Sequence, residues 1–348
     1  MNRALRTTVF TAVAALAAAG LVTATTTAAE AATTAAAAPR ATTTAAAPST
    51  AATLQTAPNT SLFPGGLFVQ DQSQAAKESA LLSGEGDVAG AASAGYIAKR
   101  SVAIWLGDWI QGSALTTFLH ETLLAAEKQG TTPVFVTYAI PDRDCAGYSA
   151  GGLTDSTYLP WNATIASALK GHDAVVLVEP DSLAESVTCG GVAATRLPLI
   201  KAAVQQFAAA GVPAYLDGGD STWWTPAQQA SLLEQAGISS ARGFFTNVSN
   251  FNGVDPERSY AGKVSALTGG SHFVIDVSRD GRGDVGGWCN PTGAGLGQDP
   301  HVTAGTGKLD ALLWVKTPGA SDGTCNGGPA AGDWFSSYAS ALVANRKQ

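Results

Sequence analysis

Positive charge is scarce in this chain: 20 lysines and arginines stand against 27 aspartates and glutamates, with only four histidines in 348 residues. Affinity for nucleic acid rests on basic side chains neutralising phosphates, and an anionic membrane surface calls for a basic face, so neither is an expected partner. Cysteine is equally sparse, at positions 145, 189, 289 and 325 only. None of these spacings forms a close C-x-x-C pair, which argues against zinc, and no metal or other cofactor is expected. The one leading apolar run, Val9–Val22, falls short of the roughly 20 residues a membrane span requires.

That run follows Arg3 and Arg6 and leads to Ala29-Glu30-Ala31, so residues 1–31 read as an export signal cleaved near Ala31. Its removal takes away Arg3, Arg6 and Glu30 and leaves 18 basic and 26 acidic side chains, a net charge of −8. Residues 32–60 are dominated by Ala, Thr and Pro, with little to bury, and are expected to be a disordered linker. Residues 61–348 carry regular apolar runs with no second low-complexity break and are expected to form one catalytic domain, a monomer acting outside the cell. In that compartment four cysteines imply two disulfides, for which three pairings are open.

Seven short β-branched or aromatic runs are bounded by Gly, Pro or Asp: Val102–Leu106, Pro133–Ile140, Ala174–Val178, Ala214–Leu216, Gly243–Val248, His272–Val277 and Leu312–Lys316. Helical stretches separate them. Leu197, Ile200, Val204 and Phe207 repeat at helical spacing before Gly211, and Thr225-Pro226 starts a helix that stops at Gly237. The alternation predicts an α/β fold, a distorted seven-stranded parallel barrel resembling a TIM barrel.

Acids follow most of these runs: Asp108, Asp142 and Asp144, Glu179 and Asp181, Asp217 and Asp220, Asp280, and Asp322. In α/β barrels the loops after the strands build the active site, so these carboxylates are expected to ring one rim. Trp105, Trp109, Tyr138, Trp161, Trp223, Trp224, Trp288 and Trp314 fall near the same ends. Aromatic faces and carboxylates together suit a sugar, whose C–H faces stack while its hydroxyls hydrogen-bond. Trp314 fits a core position equally well.

The run Tyr138-Ala-Ile-Pro-Asp-Arg-Asp-Cys145 resembles the family 6 glycoside hydrolases, as do Val178-Glu-Pro-Asp-Ser-Leu183, Tyr215-Leu-Asp-Gly-Gly219, Asn247-Val-Ser-Asn250, Trp288-Cys-Asn-Pro291, Trp314-Val-Lys316 and Ser321-Asp-Gly323. The resemblance extends in order from Trp105 to Trp334 and implies an inverting, endo-acting β-1,4-glucanase whose partner is a β-glucan. It assigns Asp181 as general acid, Asp144 as the neighbour that keeps it protonated and helps place water, and Asp322 as the candidate base. Substrate contacts are implied for Tyr138, Ser149, Trp105, Asp217, Trp223, Asn247, Trp288 and Lys316. It also implies the disulfides Cys145–Cys189 and Cys289–Cys325. An inverting mechanism needs carboxyls about 6.5–9.5 Å apart to admit water.

Two positions depart from the pattern: Ala320 stands where a glutamate is common and Asp220 where a histidine is common. Loss of that glutamate leaves a glucan-binding module with little activity as the alternative. Gly147-Tyr-Ser-Ala-Gly151 is a literal G-x-S-x-G, but Pro141–Ala146 separates it from the strand, which argues against a nucleophile elbow. Asp280–Asp284 alternates acids and glycines without the spacing of a calcium loop.

Overall fold

The computed structural model describes residue 55 and residues 57–347, apart from 305 and 306. The expected export signal and most of the expected linker therefore lie outside the described residues. A short helix α1 (Asn59–Leu62) and a helical hairpin, α2 (Gln74–Glu85) and α3 (Val88–Ala98), precede the first strand. Then β1 (Ile104–Gly107), α4 (Gly112–Gln129), β2 (Val134–Tyr138), α5 (Asp155–Leu169) and β3 (Val175–Val178) follow. Two helices, α6 (Ser182–Thr188) and α7 (Ala193–Ala210), lead to β4 (Ala214–Asp217). The chain continues through α8 (Pro226–Gln235), β5 (Gly243–Thr246), α9 (Val254–Leu267) and β6 (His272–Asp276). It ends with β7 (His301–Val302), β8 (Leu309–Leu313) and α10 (Ser336–Ala344).

The strands form one curled sheet in the order β1-β2-β3-β4-β5-β6-β8-β7. Each neighbouring pair from β1 to β8 is parallel, while β7 runs antiparallel on the edge. The seven parallel strands coincide with the seven apolar runs, the last shifted toward the N-terminus to residues 309–313. Asp310 hid that start, because a buried aspartate in a strand reads as a break. β7 spans only two residues, too few for any periodicity to register. The amide of Ala103, just before β1, donates to Trp314 O just after β8 at 2.8 Å, so the curl brings the two ends of the parallel set together.

Period-two alternation sorts the strand residues. Val134, Val136, Val175, Leu177, Tyr215, Phe245, Val274, Ala311 and Leu313 fill the interior of the curl. Their neighbours Phe135, Val176, Leu216, Phe244, Ile275 and Leu312 face the surrounding helices. Leu62 and Phe63, just past the expected linker, close the interior from below. Asn59 is buried and donates to Leu309 O at 2.9 Å.

At the same lower end, Arg242 grips Asp310 through Nε at 2.8 Å and Nη2 at 2.9 Å. Tyr215 Oη donates to the same carboxylate at 2.6 Å, and neither side chain of the ion pair is exposed to solvent. Burial alone raises the Asp310 carboxyl, but Arg242 and His272 outweigh it and hold the group below the ordinary range. Asp310→Asn is expected to lower unfolding free energy by about 3–5 kcal/mol, since it removes the carboxylate charge from a buried ion pair. Because the folded pKa is depressed, this contribution is present above about pH 3.9 and is lost as pH falls through the folded value. Urea unfolding of wild type and variant at neutral and acid pH measures both effects.

Candidate active site

The site is built on the C-terminal ends of the strands, where backbone strain is concentrated. Asp142, Asp144, Cys145, Ala146, Glu179, Asp181, Asn247 and Ser249 all adopt positive φ, a region that non-glycine residues enter only under constraint from their surroundings. After β2 that constraint comes from Arg143, which bonds Tyr138 O at 2.5 Å, Ser149 O at 2.8 Å and Asp108 at 2.7 Å. The loop folds back so that Ser149 donates to Asp144 Oδ2 from its amide at 2.6 Å and from its hydroxyl at 2.8 Å. Tyr138 Oη lies 2.9 Å from the same hydroxyl and Trp105 meets the Tyr138 ring edge-on, 4.9 Å between centroids. Gly152, at φ 109, must remain glycine, because a Cβ there would sit 2.0 Å from Ile140 O. Ser149 therefore belongs to a hydroxyl–carboxylate chain and not to a strand–turn–helix elbow.

After β3, Glu179 is fully buried and accepts from the amides of Ala139 and Ile140 at 2.9 and 3.0 Å. It braces the end of β2 against β3, with burial pushing its carboxyl up to about 7. Asp181 follows at φ 70 and enters α6. Its carboxyl is raised well above the ordinary range, first by burial and then by Asp217, Glu185 and Asp144, with Lys316 opposing. Asp144 is thus one contributor among several to the protonated state of Asp181, behind desolvation and two other acids.

Asp217 ends β4 and lies behind Asp181. It is 3% exposed and accepts from Leu183 N at 3.1 Å and Gly219 N at 2.9 Å, so it fixes α6 and does not line the cleft. Burial pushes it up to about 7. Asn247 is likewise buried, and its amide donates to Asn252 O and Asp276 O, both at 2.9 Å. Both side chains are buried and spend their polar atoms on the protein's own backbone, behind the cleft surface. Trp161 and Trp314 belong to the core, with their indole N–H groups bonded to Ile110 O and Gln298 O.

Across the cleft, Asp322 is held by Arg279 Nη1 at 2.7 Å, Lys316 Nζ at 2.9 Å and Asn290 N at 2.9 Å. Burial would raise its carboxyl, but Arg279 and Lys316 dominate and hold it below the ordinary range. Burial lowers Lys316 itself. Asp276, fully desolvated, accepts from the amides of Val315 and Lys316 at 3.1 and 3.0 Å and so fixes where Lys316 begins. Arg279, Asn290, Asp276 and Glu185 were not among the expected site residues. Glu185 had a legible signal, since it lies four residues after Asp181 and hence on the same helical face.

The cleft between these groups has a volume of about 1100 Å³ and is lined by Trp105, Tyr138, Asp144, Ser149, Asp181, Trp223, Trp288, Lys316 and Asp322 among others. Ala320 and Asp220 line it too, the latter held by Thr222, Asn250 and Asn252. Four of the exposed large hydrophobic residues, Trp109, Tyr148, Trp223 and Trp288, fall on this one surface. One end is walled by Gln70 and the start of α2, a contribution that nothing in the local sequence announced. Cys145 is joined to Cys189, and Cys289 to Cys325, which ties the Asp144 loop to the end of α6 and the Asp322 loop to the segment after β6. No cysteine thiolate remains for a metal. No histidine lines the cleft among the described residues.

Residues 65–346 match the sequence profile of the glycosyl hydrolases family 6. Endoglucanase A of Cellulomonas fimi is 39% identical over 251 residues, covering 72% of this chain and 56% of that protein. Endoglucanase 1 of Streptomyces halstedii is 34% identical over 300 residues, covering 82% and 91%. The chain thus spans little more than half of the first relative and nearly all of the second. Among solved structures, an endoglucanase from Mycobacterium tuberculosis in complex with methyl-cellobiosyl-4-deoxy-4-thio-β-D-cellobioside superposes with a TM-score of 0.75 at 35% identity, covering 80% of this chain and 96% of that one. Exoglucanases also occur among the relatives.

Proposed function

Because the chain belongs to glycosyl hydrolases family 6, we propose that it hydrolyses internal β-1,4-glucosidic bonds of a soluble or amorphous β-glucan, with inversion at the anomeric carbon. The observation that carries this reading is a carboxyl, Asp181, kept protonated by burial and neighbouring acids on one side of an aromatic-lined cleft that holds a firmly ionised carboxylate, Asp322. Asp181 would donate its proton to the leaving glycosidic oxygen. The Tyr138–Ser149–Asp144 chain would hold the attacking water on the opposite face of the sugar, and Asp144, reached through the Ser149 hydroxyl, would take up the proton that this water loses.

Asp322 is poorly suited to take a proton directly, because its low pKa makes it a weak base and three donors occupy its oxygens. We assign it instead to stabilising the positive charge that develops on the ring, with Lys316 placed to reach substrate hydroxyls. Trp105, Trp223 and Trp288 would stack against sugar faces. Asp217 and Asn247 would act from behind, through the segments they hold. Two disulfides fit the oxidising conditions met by an exported protein.

Endo action is tested by following viscosity and sugar release together on hydroxyethylcellulose. The expected result is a steep early fall in viscosity with little sugar released. A slow fall with cellobiose accumulating would contradict internal cleavage.

A further inference from the structure

Glu185 lines the cleft beside Asp144 and Asp181, yet its carboxylate is engaged on its far side. Arg196, on α7, donates to Glu185 Oε2 at 3.0 Å, and the side chains are 1% and 13% exposed respectively. The same guanidinium bonds Ser182 O at 3.3 Å on α6, and Asp142 O at 2.7 Å and Pro141 O at 3.4 Å on the Asp144 loop. The backbone N–H of Asp144 also faces the Glu185 carboxylate. Carboxylate oxygen and both sulfurs of Cys145–Cys189 lie within 4.8 Å of one another. The guanidinium held by Glu185 therefore reaches from the helix after Asp181 to the Asp144 loop, the two segments that the disulfide also links. The loop it grips carries consecutive left-handed residues, Asp144, Cys145 and Ala146, a conformation that needs outside support.

We propose that Glu185, through Arg196, is a positioning residue that fastens the strained Asp144 loop to the helix bearing Asp181 and so fixes the distance between those two carboxyls. The inference deepens the hydrolase reading and rests on it. Glu185 has a further consequence for pH. Asp181 faces Asp217 from β4, Asp144 from the β2 loop, Tyr138 from β2, Lys316 after β8 and Glu185 from its own helix. Removing the Glu185 charge takes away one of the anions that favour the protonated acid, and Arg196, left unpaired, pushes the same way. The alkaline limb of the rate profile should move to lower pH.

Glu185→Ala, Glu185→Gln and wild type are compared by hydrogen exchange across residues 142–150 and by steady-state kinetics on cellohexaose over a pH series. In the Ala variant, exchange of this segment is expected to rise by at least about tenfold, reporting local opening. The kcat is expected to fall by about 10–100-fold from misplacement, with KM changed less than about threefold. The Gln variant, whose amide oxygen still accepts from Arg196 and the Asp144 amide, should recover at least about tenfold of that loss and retain the lowered alkaline limb. Arg196→Lys replaces the Ala variant should the latter fail to fold. Unchanged exchange, or faster exchange with unchanged kcat and pH profile, overturns the proposal. Inactive wild type would instead refute the hydrolase reading, and exchange alone would then decide whether the clamp exists.

Discussion

Asp181→Asn is expected to lower kcat on cellohexaose by about 10²–10⁴-fold, the range typical of losing a general acid. Binding of cellotetraose should stay within a few-fold of wild type, because the amide preserves the shape of the side chain and removes only the transferable proton. The loss depends on the leaving group. An aryl cellotrioside with a dinitrophenyl leaving group departs without protonation, so its hydrolysis should fall by less than about tenfold in the same variant. Equal losses on both substrates would mean that Asp181 does not donate the proton. Equal background hydrolysis by wild type and variant, with glucan still bound, would favour a binding module, the possibility that Ala320 raises.

Asp322→Asn is expected to cost about 10²–10³-fold in kcat, comparable to removing one preorganised electrostatic contact from an active site. The variant keeps the bonding shape near Asn290 but removes the charge that balances the buried Arg279 and the largely buried, cleft-lining Lys316. Stability should also drop, by about 3–5 kcal/mol, as for any buried ion pair deprived of one partner. The folded pKa is depressed, so the stabilising contribution is complete above the ordinary aspartate range, about pH 3.9, and is lost as pH falls through the folded value. KM should change little, because the charge acts on an oxocarbenium-like transition state more than on neutral substrate. A variant within tenfold of wild-type kcat would remove Asp322 from the mechanism.

The sheet was legible because its strands are buried on both faces and so stand out as continuous apolar runs between polar turns. What escaped were features that depend on pairing in space. Arg279 and Asn290 carry no local mark, as their meaning comes only from meeting Asp322 across the cleft. Asn247 and Asp217 fall at strand ends like the cleft-lining acids, yet their backbone turns them inward to satisfy buried amides and carbonyls. Trp314 and Trp161 show the same ambiguity, since an indole suits a core as well as a sugar once its N–H finds a carbonyl. The boundary at residue 60 was set by composition, which cannot register that Asn59 has a carbonyl partner beneath β8.

Proton donation by Asp181 requires that its carboxyl keep its proton well above the ordinary aspartate range, chiefly through burial and then through the acids around it. Titration of ¹³C-labelled aspartate carboxyls, with the resonance identified by its loss in Asp181→Asn, measures this directly. The Asp181 carboxyl is expected to be still protonated where an exposed aspartate, of pKa about 3.9, is fully ionised. A midpoint within one unit of that value would contradict it.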